Sequence, residues 1–255
     1  DGMPIISYYD ATAGDLKTAY CTTTSCAATT ITAVDSTNDV GKYTSIKIGA
    51  DSLPIISYYL ATGGDLKVTH CGTITCASGN TTTAVDTTGD VGKYTSMITF
   101  GTKELITYYD ITNGNLKSAE CITYGCTASN FSVNAAVSTN DVGQYTATGI
   151  GPNGTPIVSF YDVTNGNLMV TECQNPHHSG NNNGRCDTVQ ITTTLDSTGD
   201  VGQYTSIAIG PDGLPFIVYY DVTNADLKTL KCALPDCSQT SGGGLNNTGA
   251  NIGTI

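Results

Sequence analysis

Apolar and polar residues alternate along most of this chain, in short runs bounded by Gly, Asn, Asp and Pro. The stretch beginning at Tyr94 is representative. YTSMITFG alternates and stops at a glycine, ELITYYD alternates β-branched and aromatic residues, NLKSAEC follows, and NFSVNAAV closes the unit. Alternation with period two places successive side chains on opposite faces of a strand, and no stretch sustains a helical period. Between the second and third runs, Thr112-Asn113-Gly114-Asn115 carries the Asn-Gly core of a tight type I′ hairpin. Between the first and second, turns of the kind Pro211-Asp212-Gly213-Leu214-Pro215 recur. Each unit is therefore predicted as four short antiparallel strands, lettered A (YTSIxIG), B (PIISYYD), C (DLKxxxC) and D (TxTAVD).

The unit repeats five times. The second aromatic of each B strand is Tyr9, Tyr59, Tyr109, Tyr161 and Tyr220, and Asp-Val-Gly recurs at Asp39, Asp90, Asp141 and Asp200. Four-stranded units at a period of roughly 50 residues match the blades of a β-propeller. The expected fold class is all-β, a five-bladed β-propeller in one domain. Its repeats run over residues 1–42, 43–93, 94–144, 145–203 and 204–255. The chain starts at a B strand and supplies five B–C–D sets but four A strands, beginning at Tyr43, Tyr94, Tyr145 and Tyr204. Residues 248–255, TGANIGTI, resemble a degraded A strand. Residues 238–247, rich in Gly and Asn, read as a flexible linker that lets this tail complete the first blade.

Composition sharpens the picture. Hydrophobic residues make up 39% of the 255, enough for a core, while only 13% are charged. Ten basic residues against 22 acidic ones give a net charge of -12, which excludes a nucleic-acid binder dependent on Lys and Arg. No apolar run spans a bilayer. Ten cysteines form five local pairs: Cys21/Cys26, Cys71/Cys76, Cys121/Cys126, Cys173/Cys186 and Cys232/Cys237. A zinc site unites two such pairs, whereas each repeat here holds one, so one disulfide per blade and an oxidising, extracellular setting are expected. The start at Asp1, inside a repeat, suggests a mature or truncated product.

On these blades the chain resembles secreted β-propeller repeat proteins. Its period and five copies are similar to tachylectin-2-like lectins, and its Gly-x-Pro-x-Ile-x-Tyr-Tyr-Asp blades resemble sialidase-like (BNR) repeats. The Asp-box of sialidase-like blades needs a tryptophan, and this chain has none, so no functional residue carries over.

Antiparallel order puts B–C and D–A loops at one end of each blade and the cysteine hairpins at the other. The B–C loops carry Asp10, Asp15, Asp110, Asp162, Asp221 and Asp226. The D–A loops carry Asp35, Asp39, Asp86, Asp90, Asp141, Asp196 and Asp200. These side chains either brace their loops as Asx turns or offer oxygen ligands to Ca²⁺; no cofactor is required. Tyr9, Tyr59, Tyr109, Tyr161 and Tyr220 either pack between blades or form sugar-stacking platforms. His177, His178 and Arg185 lie in an inserted loop that reads as solvated. Glu120 and Glu172 occupy the pre-cysteine position held elsewhere by Tyr20, His70 and Lys231, and read as surface positions. Asn80, Asn130, Asn153 and Asn246 begin sequons.

Most acids recur in every blade, so no distinct catalytic pair stands out. The expectation is a secreted, non-catalytic, multivalent binding or adhesive module, for glycans or for cell-surface or matrix components. One alternative is a subunit of an extracellular filament joined by β-strand exchange. The other is a glycosidase.

Overall fold

The computed structural model describes residues 2–100, 103–127, 131–152, 154–173, 186 and 191–240. Five antiparallel sheets, the blades of a five-bladed β-propeller, make up the fold, as the repeat predicts. The first holds β1 (Ile5–Asp10), β2 (Asp15–Cys21) and β3 (Thr29–Asp35). The second runs β4 (Val40–Ile48), β5 (Pro54–Leu60), β6 (Asp65–His70) and β7 (Thr81–Asp86). The third runs β8 (Val91–Phe100), β9 (Lys103–Asp110), β10 (Asn115–Cys121) and β11 (Phe131–Val137). The fourth runs β12 (Val142–Ile150), β13 (Pro156–Asp162), β14 (Asn167–Glu172) and β15 (Ile191–Asp196). The last holds β16 (Val201–Ile209), β17 (Pro215–Asp221) and β18 (Asp226–Lys231).

Two compact units divide the chain, Asp1–Ile106 with Ala119–Val133 and Thr107–Ser118 with Asn134–Ile255. In the first unit, Ile56 and Tyr58 of one sheet pack on Leu16, Ile5 and Val34 of the sheet before it. In the second, Ile217 and Tyr219 pack in the same way on Ile157, Leu168, Val170 and Leu195. The first aromatic is thus core in four of the five pairs: Tyr58, Tyr108, Phe160 and Tyr219 are fully buried, while Tyr8 is half-buried. Tyr58 carries its hydroxyl into this interface and donates it to Asp35 at 2.6 Å, where Lys67 Nζ also bonds at 2.6 Å. Burial pushes the Asp35 carboxyl up, but Lys67, the Tyr58 hydroxyl and the Thr37 N–H together hold it below the usual carboxylate range.

Neighbouring sheets meet closely at the Asp-Val-Gly run. Each valine N–H bonds the carbonyl of the preceding blade's hairpin, as from Val40 to Gly14 at 2.9 Å and from Val91 to Gly64 at 2.8 Å. The glycine that follows lies on the first leucine of the preceding C strand. A Cβ on Gly92, whose φ is +102°, would stand 2.8 Å from Leu66 Cα. Gly41, Gly143 and Gly202 repeat this contact on Leu16, Leu116 and Leu168.

Three expectations about the strands need correction. The A strands begin at Val40, Val91, Val142 and Val201, three residues before the tyrosines, because the chain enters the sheet at the valine and bulges afterwards. The B–C connections are four-residue loops rather than two-residue type I′ turns. Gly14 N–H bonds Asp10 O at 2.8 Å, and Asp10 Oδ1 accepts the N–H groups of Thr12 and Ala13. The fifth blade shows no D strand among the described residues, only a bridge between Cys232 and Thr240. Among the described residues the first blade has no A strand, as read. The closing tail and most of the linker lie outside the described residues, as do His177, His178 and Arg185.

All five expected disulfides are present: Cys21–Cys26, Cys71–Cys76, Cys121–Cys126, Cys173–Cys186 and Cys232–Cys237. Each ties the end of a C strand to the loop that follows. Four of the first cysteines donate their N–H to a B-strand proline carbonyl: Pro4, Pro54, Pro156 and Pro215.

The hairpin reading of these pairs needs its own correction, because the second cysteines do not continue the ladder. Cys26, Cys76, Cys186 and Cys237 all lie outside the strands, and Cys126 closes a short 3₁₀ turn. Cys26, Cys76, Cys126 and Cys237 adopt a left-handed backbone, with φ between 53° and 56°. That conformation is uncommon for any residue with a Cβ. Here it closes a tight turn, in which Cys26 N–H bonds Thr23 O, Cys76 N–H bonds Thr73 O and Cys237 N–H bonds Leu234 O, each at 3.0 Å. The turn swings the second sulfur back onto the strand end. Cys76, Cys186 and Cys237 are fully buried there, while Cys26 is half-buried.

Replacing Gly92 with Ala forces both a left-handed backbone and a backbone clash, for an expected loss of about 3 kcal/mol. At Gly154 the φ is +75° but nothing lies within 4 Å, so Gly154→Ala should cost only about 1 kcal/mol. Urea unfolding of the two variants against the parent chain measures the difference.

Candidate functional site

The end of the blades that carries the B–C and D–A loops presents one local arrangement in four copies. A B-strand tyrosine donates its hydroxyl to the aspartate of the Asp-Val-Gly that leads into the next sheet. The pairs are Tyr9 with Asp39 at 2.7 Å, and Tyr59 with Asp90, Tyr109 with Asp141 and Tyr161 with Asp200, each at 2.6 Å. Bonding to Asp39 raises the Tyr9 phenol, and the Lys42 ammonium beside Asp39 holds that carboxyl low. Burial and then the Asp90 carboxylate raise Tyr59, and Tyr161 is raised likewise by burial and Asp200. These phenols stay neutral donors. Tyr59, Tyr109 and Tyr161 are no more than 6% exposed, so their ring faces belong to the packing and offer little to a stacking sugar. Tyr9 and Tyr220 are half-buried.

The exposed aromatic surface comes from tyrosines the sequence reading treated only as strand starts. Tyr43, Tyr145 and Tyr204 each sit on a β-bulge, and these three and Tyr94 adopt a left-handed backbone, with φ between 52° and 56°. A bulge of this hand ordinarily takes glycine, because a Cβ there costs on the order of 1–3 kcal/mol. Tyr43 is 40% and Tyr204 66% exposed, while Tyr94 and Tyr145 are half-buried. In the first unit the rings of Tyr43 and Tyr94 lie 4.6 Å apart; in the second, Tyr145 and Tyr204 lie 4.3 Å apart. The threonine after each tyrosine pins the bulge: Thr95 Oγ1 bonds Ser57 Oγ and donates to the Tyr43 carbonyl, both at 2.9 Å, and Thr205 Oγ1 donates to Ser159 Oγ at 2.8 Å.

Polar groups flank each tyrosine. Lys42 Nζ bonds Asp39 at 2.6 Å, and both side chains keep about a third of their surface in solvent, at 32% and 38%. Lys93 and Asp90 repeat the arrangement at 3.9 Å, and Gln144 and Gln203 take the lysine position in the other two copies. An apolar ring face beside half-exposed donors and acceptors is the surface that a sugar ring matches.

The aspartates named as oxygen ligands spread into other work. Asp10, Asp35, Asp86 and Asp196 accept loop N–H groups as Asx turns, and Asp110, Asp162 and Asp221 hold Asn113, Asn165 and Asn224. Asp39, Asp90, Asp141 and Asp200 take the tyrosine hydroxyls. Asp15 and Asp226 stand opposite Asp10 and Asp221 in the ladders. Among the described residues, the one trio of candidate ligand groups within 4.8 Å is Glu104, Cys121 and Cys126, and its two cysteines are joined in a disulfide.

At the other end, the pre-cysteine position is paired rather than free, which corrects the surface reading of Glu120 and Glu172. Both are buried; Lys103 Nζ bonds Glu120 at 2.8 Å, and the Thr155 hydroxyl donates to Glu172 at 2.6 Å. His70 meets Asp51 at 2.9 Å, and Lys231 meets Asp212. The position changes in charge to suit its partner: the glutamates meet Lys103 or Thr155, and His70 and Lys231 meet aspartates of the A–B link.

Glu104 stands where the other blades have proline. It is fully buried, its Oε1 has no hydrogen-bond partner among the described residues, and its Oε2 lies 3.9 Å from Cys126 Sγ. Because a disulfide sulfur carries no hydrogen, only the protonated carboxyl can bond there. Burial pushes its pKa up to about 7, against the pull of the Gly125 N–H and with a further push from Asp51.

No family model matches the sequence, and no curated protein sequence matches it. Solved structures share the fold. A sialidase from Streptococcus pneumoniae superposes with a TM-score of 0.53 at 11% identity, over 82% of this chain and 33% of the sialidase. An α-L-arabinofuranosidase from Podospora anserina gives 0.49 at 11% identity, over 75% of this chain and 63% of its own. One from Lactobacillus brevis gives 0.48 at 10%, over 100% and 91%. The chain thus spans less than two thirds of the first two. The sialidase is an enzyme on this fold, which corrects the expectation of a non-catalytic protein. Among the described residues, no helix is long and apolar enough to cross a membrane.

Glu104 links stability to pH. Its folded pKa of about 7 exceeds the ordinary 4.5, so its contribution is complete below 4.5 and is lost as pH rises through 7. The melting temperature should fall between pH 5 and 8, and Glu104→Gln should remove much of that fall. Thermal melts of both proteins across this range supply the measurement.

Proposed function

We propose that this chain is a carbohydrate-binding protein that engages glycans at the bulged tyrosines, Tyr43 and Tyr204 foremost. The observation that carries this reading is a costly left-handed backbone repeated in four copies to hold large aromatic side chains, two of them exposed. Strain of this kind persists where the surroundings over-determine it, and it clusters at binding sites. A tyrosine face stacks on the apolar face of a pyranose, and the Asp39–Lys42 and Asp90–Lys93 pairs offer hydrogen bonds to ring hydroxyls.

The multiplicity of these sites suits a polymer or a glycan-covered surface, on which weak contacts add avidity. Carbohydrate enzymes among the proteins of similar fold support the same ligand class, and five disulfides support an extracellular setting. Calcium assistance from the loop aspartates belongs to this proposal as a separate arm of its test.

A glycan array, run in Ca²⁺ and in a chelator, should show binding to a defined set of sugars. Titration calorimetry on the hits should then show affinity falling at least tenfold for Tyr204→Gly and Tyr43→Gly. Glycine relieves the left-handed strain, so stability should stay within about 1 kcal/mol of the parent. Substitutions that lower stability by more than this yet leave the folded protein's sugar affinity intact would assign the tyrosines to packing instead. Chromogenic glycosides of the same sugars read hydrolysis directly.

A further inference from the structure

In the first unit the bulged tyrosines stand beside two ammonium groups that the chain supplies itself. Lys42 Nζ lies over the Tyr9 ring, 5.1 Å from its centre, and bonds Asp39 at 2.6 Å. Lys93 Nζ lies over the Tyr59 ring at 5.2 Å and 3.9 Å from Asp90. Each ammonium thus has a tyrosine face and a carboxylate, and each of these attracts a cation.

The second unit keeps this receptor without its lysine. Tyr109 with Asp141 and Tyr161 with Asp200 repeat the hydroxyl-to-carboxylate bond at 2.6 Å, and both aspartates are half-buried. The lysine position, however, holds Gln144 and Gln203, whose amides bear no charge. Next to these glutamines stand Tyr145 and Tyr204, with their rings 4.3 Å apart and Tyr204 66% exposed.

A lysine lost elsewhere in the same unit is handled differently. Lys67 and the Tyr58 hydroxyl both donate to Asp35, and Lys228 and the Tyr219 hydroxyl both donate to Asp196. Where Met169 takes that lysine position, Phe160 stands for the tyrosine and Val137 for the aspartate, so the whole polar set goes together. At Gln144 and Gln203 only the cation goes. The acceptors stay, and they stay beside aromatic surface.

We propose that the Asp141 and Asp200 carboxylates bind the ammonium group of a glucosamine-type sugar, an amino sugar without an acetyl group, stacked on the Tyr145–Tyr204 pair. The inference rests on the reading of the bulged tyrosines as a glycan site and adds the class of sugar. In the first unit Lys42 and Lys93 already fill the equivalent position, so the Tyr43–Tyr94 pair has no such preference. A lysine-bearing peptide offers the same ammonium but no pyranose face for the rings, which puts the amino sugar ahead.

Titration calorimetry on the full chain tests this at about 0.15 M salt, which screens the general attraction of cations to a net charge of -12. A glucosamine trisaccharide should bind at least tenfold more tightly than its N-acetylated counterpart or trilysine. Gln144→Lys with Gln203→Lys copies the first unit's own arrangement and should abolish that preference. Leu234→Lys with Gln239→Lys adds the same charge at exposed positions beside the last disulfide and should preserve it. A preference that survives the glutamine substitutions, or falls equally in the control, overturns the proposal, as does trilysine binding as tightly as the sugar. Sugars that lose affinity with Tyr204→Gly but show no preference for glucosamine overturn this inference alone. Sugar affinity that is absent, or indifferent to Tyr204→Gly, overturns the glycan reading beneath it as well.

Discussion

Neighbouring blades approach backbone to backbone at the glycine of Asp-Val-Gly, on the leucine that opens the preceding C strand. Only hydrogen fits there. This contact fixes where each A strand enters its sheet, since the valine before it is already bonded to the preceding hairpin. It also fixes the aspartate before that valine within reach of the preceding B-strand tyrosine. Glycine, valine and aspartate thus act as one docking unit, and the tyrosine bulge two residues later inherits its position from them.

That bulge is the expensive part of the design. The repeat could have used glycine at Tyr43, Tyr94, Tyr145 and Tyr204 and kept the same strand path. Instead the chain holds an aromatic ring in a left-handed backbone and secures it with a threonine bonded into the neighbouring B strand. The buried tyrosines beside it carry no such cost: their phenols are ordinary donors to carboxylates, and their rings fill space between sheets.

Period, strand content and cysteine pairing gave away the blades, because each depends on residue spacing. The binding surface was harder to read, since a strand-forming tyrosine looks the same whether its φ is negative or positive. Tyr59 drew notice as half of a conspicuous pair, while Tyr94, alone after Asp-Val-Gly, passed as the start of a strand. Its constant spacing from that glycine was the available signal. The left-handed turns at Cys26, Cys76 and Cys237 escaped notice for the same reason, since spacing names a cysteine's partner but not its backbone. Glu120 and Glu172 misled for another reason: their position varies in charge because its partner varies too, and a pair of that sort shows only in three dimensions.

The disulfides close very small loops. Four join cysteines five residues apart and the fifth, Cys173–Cys186, spans thirteen. Chain-entropy arithmetic gives each of the four about 2 kcal/mol and the fifth about 3 kcal/mol. The same arithmetic says that a cysteine emerging during synthesis meets its native partner before any other, at the shortest loop on offer. Oxidation can therefore follow the growing chain one blade at a time, with little call for reshuffling. A broken crosslink later in the protein's life loosens its own hairpin and leaves the other four blades stapled.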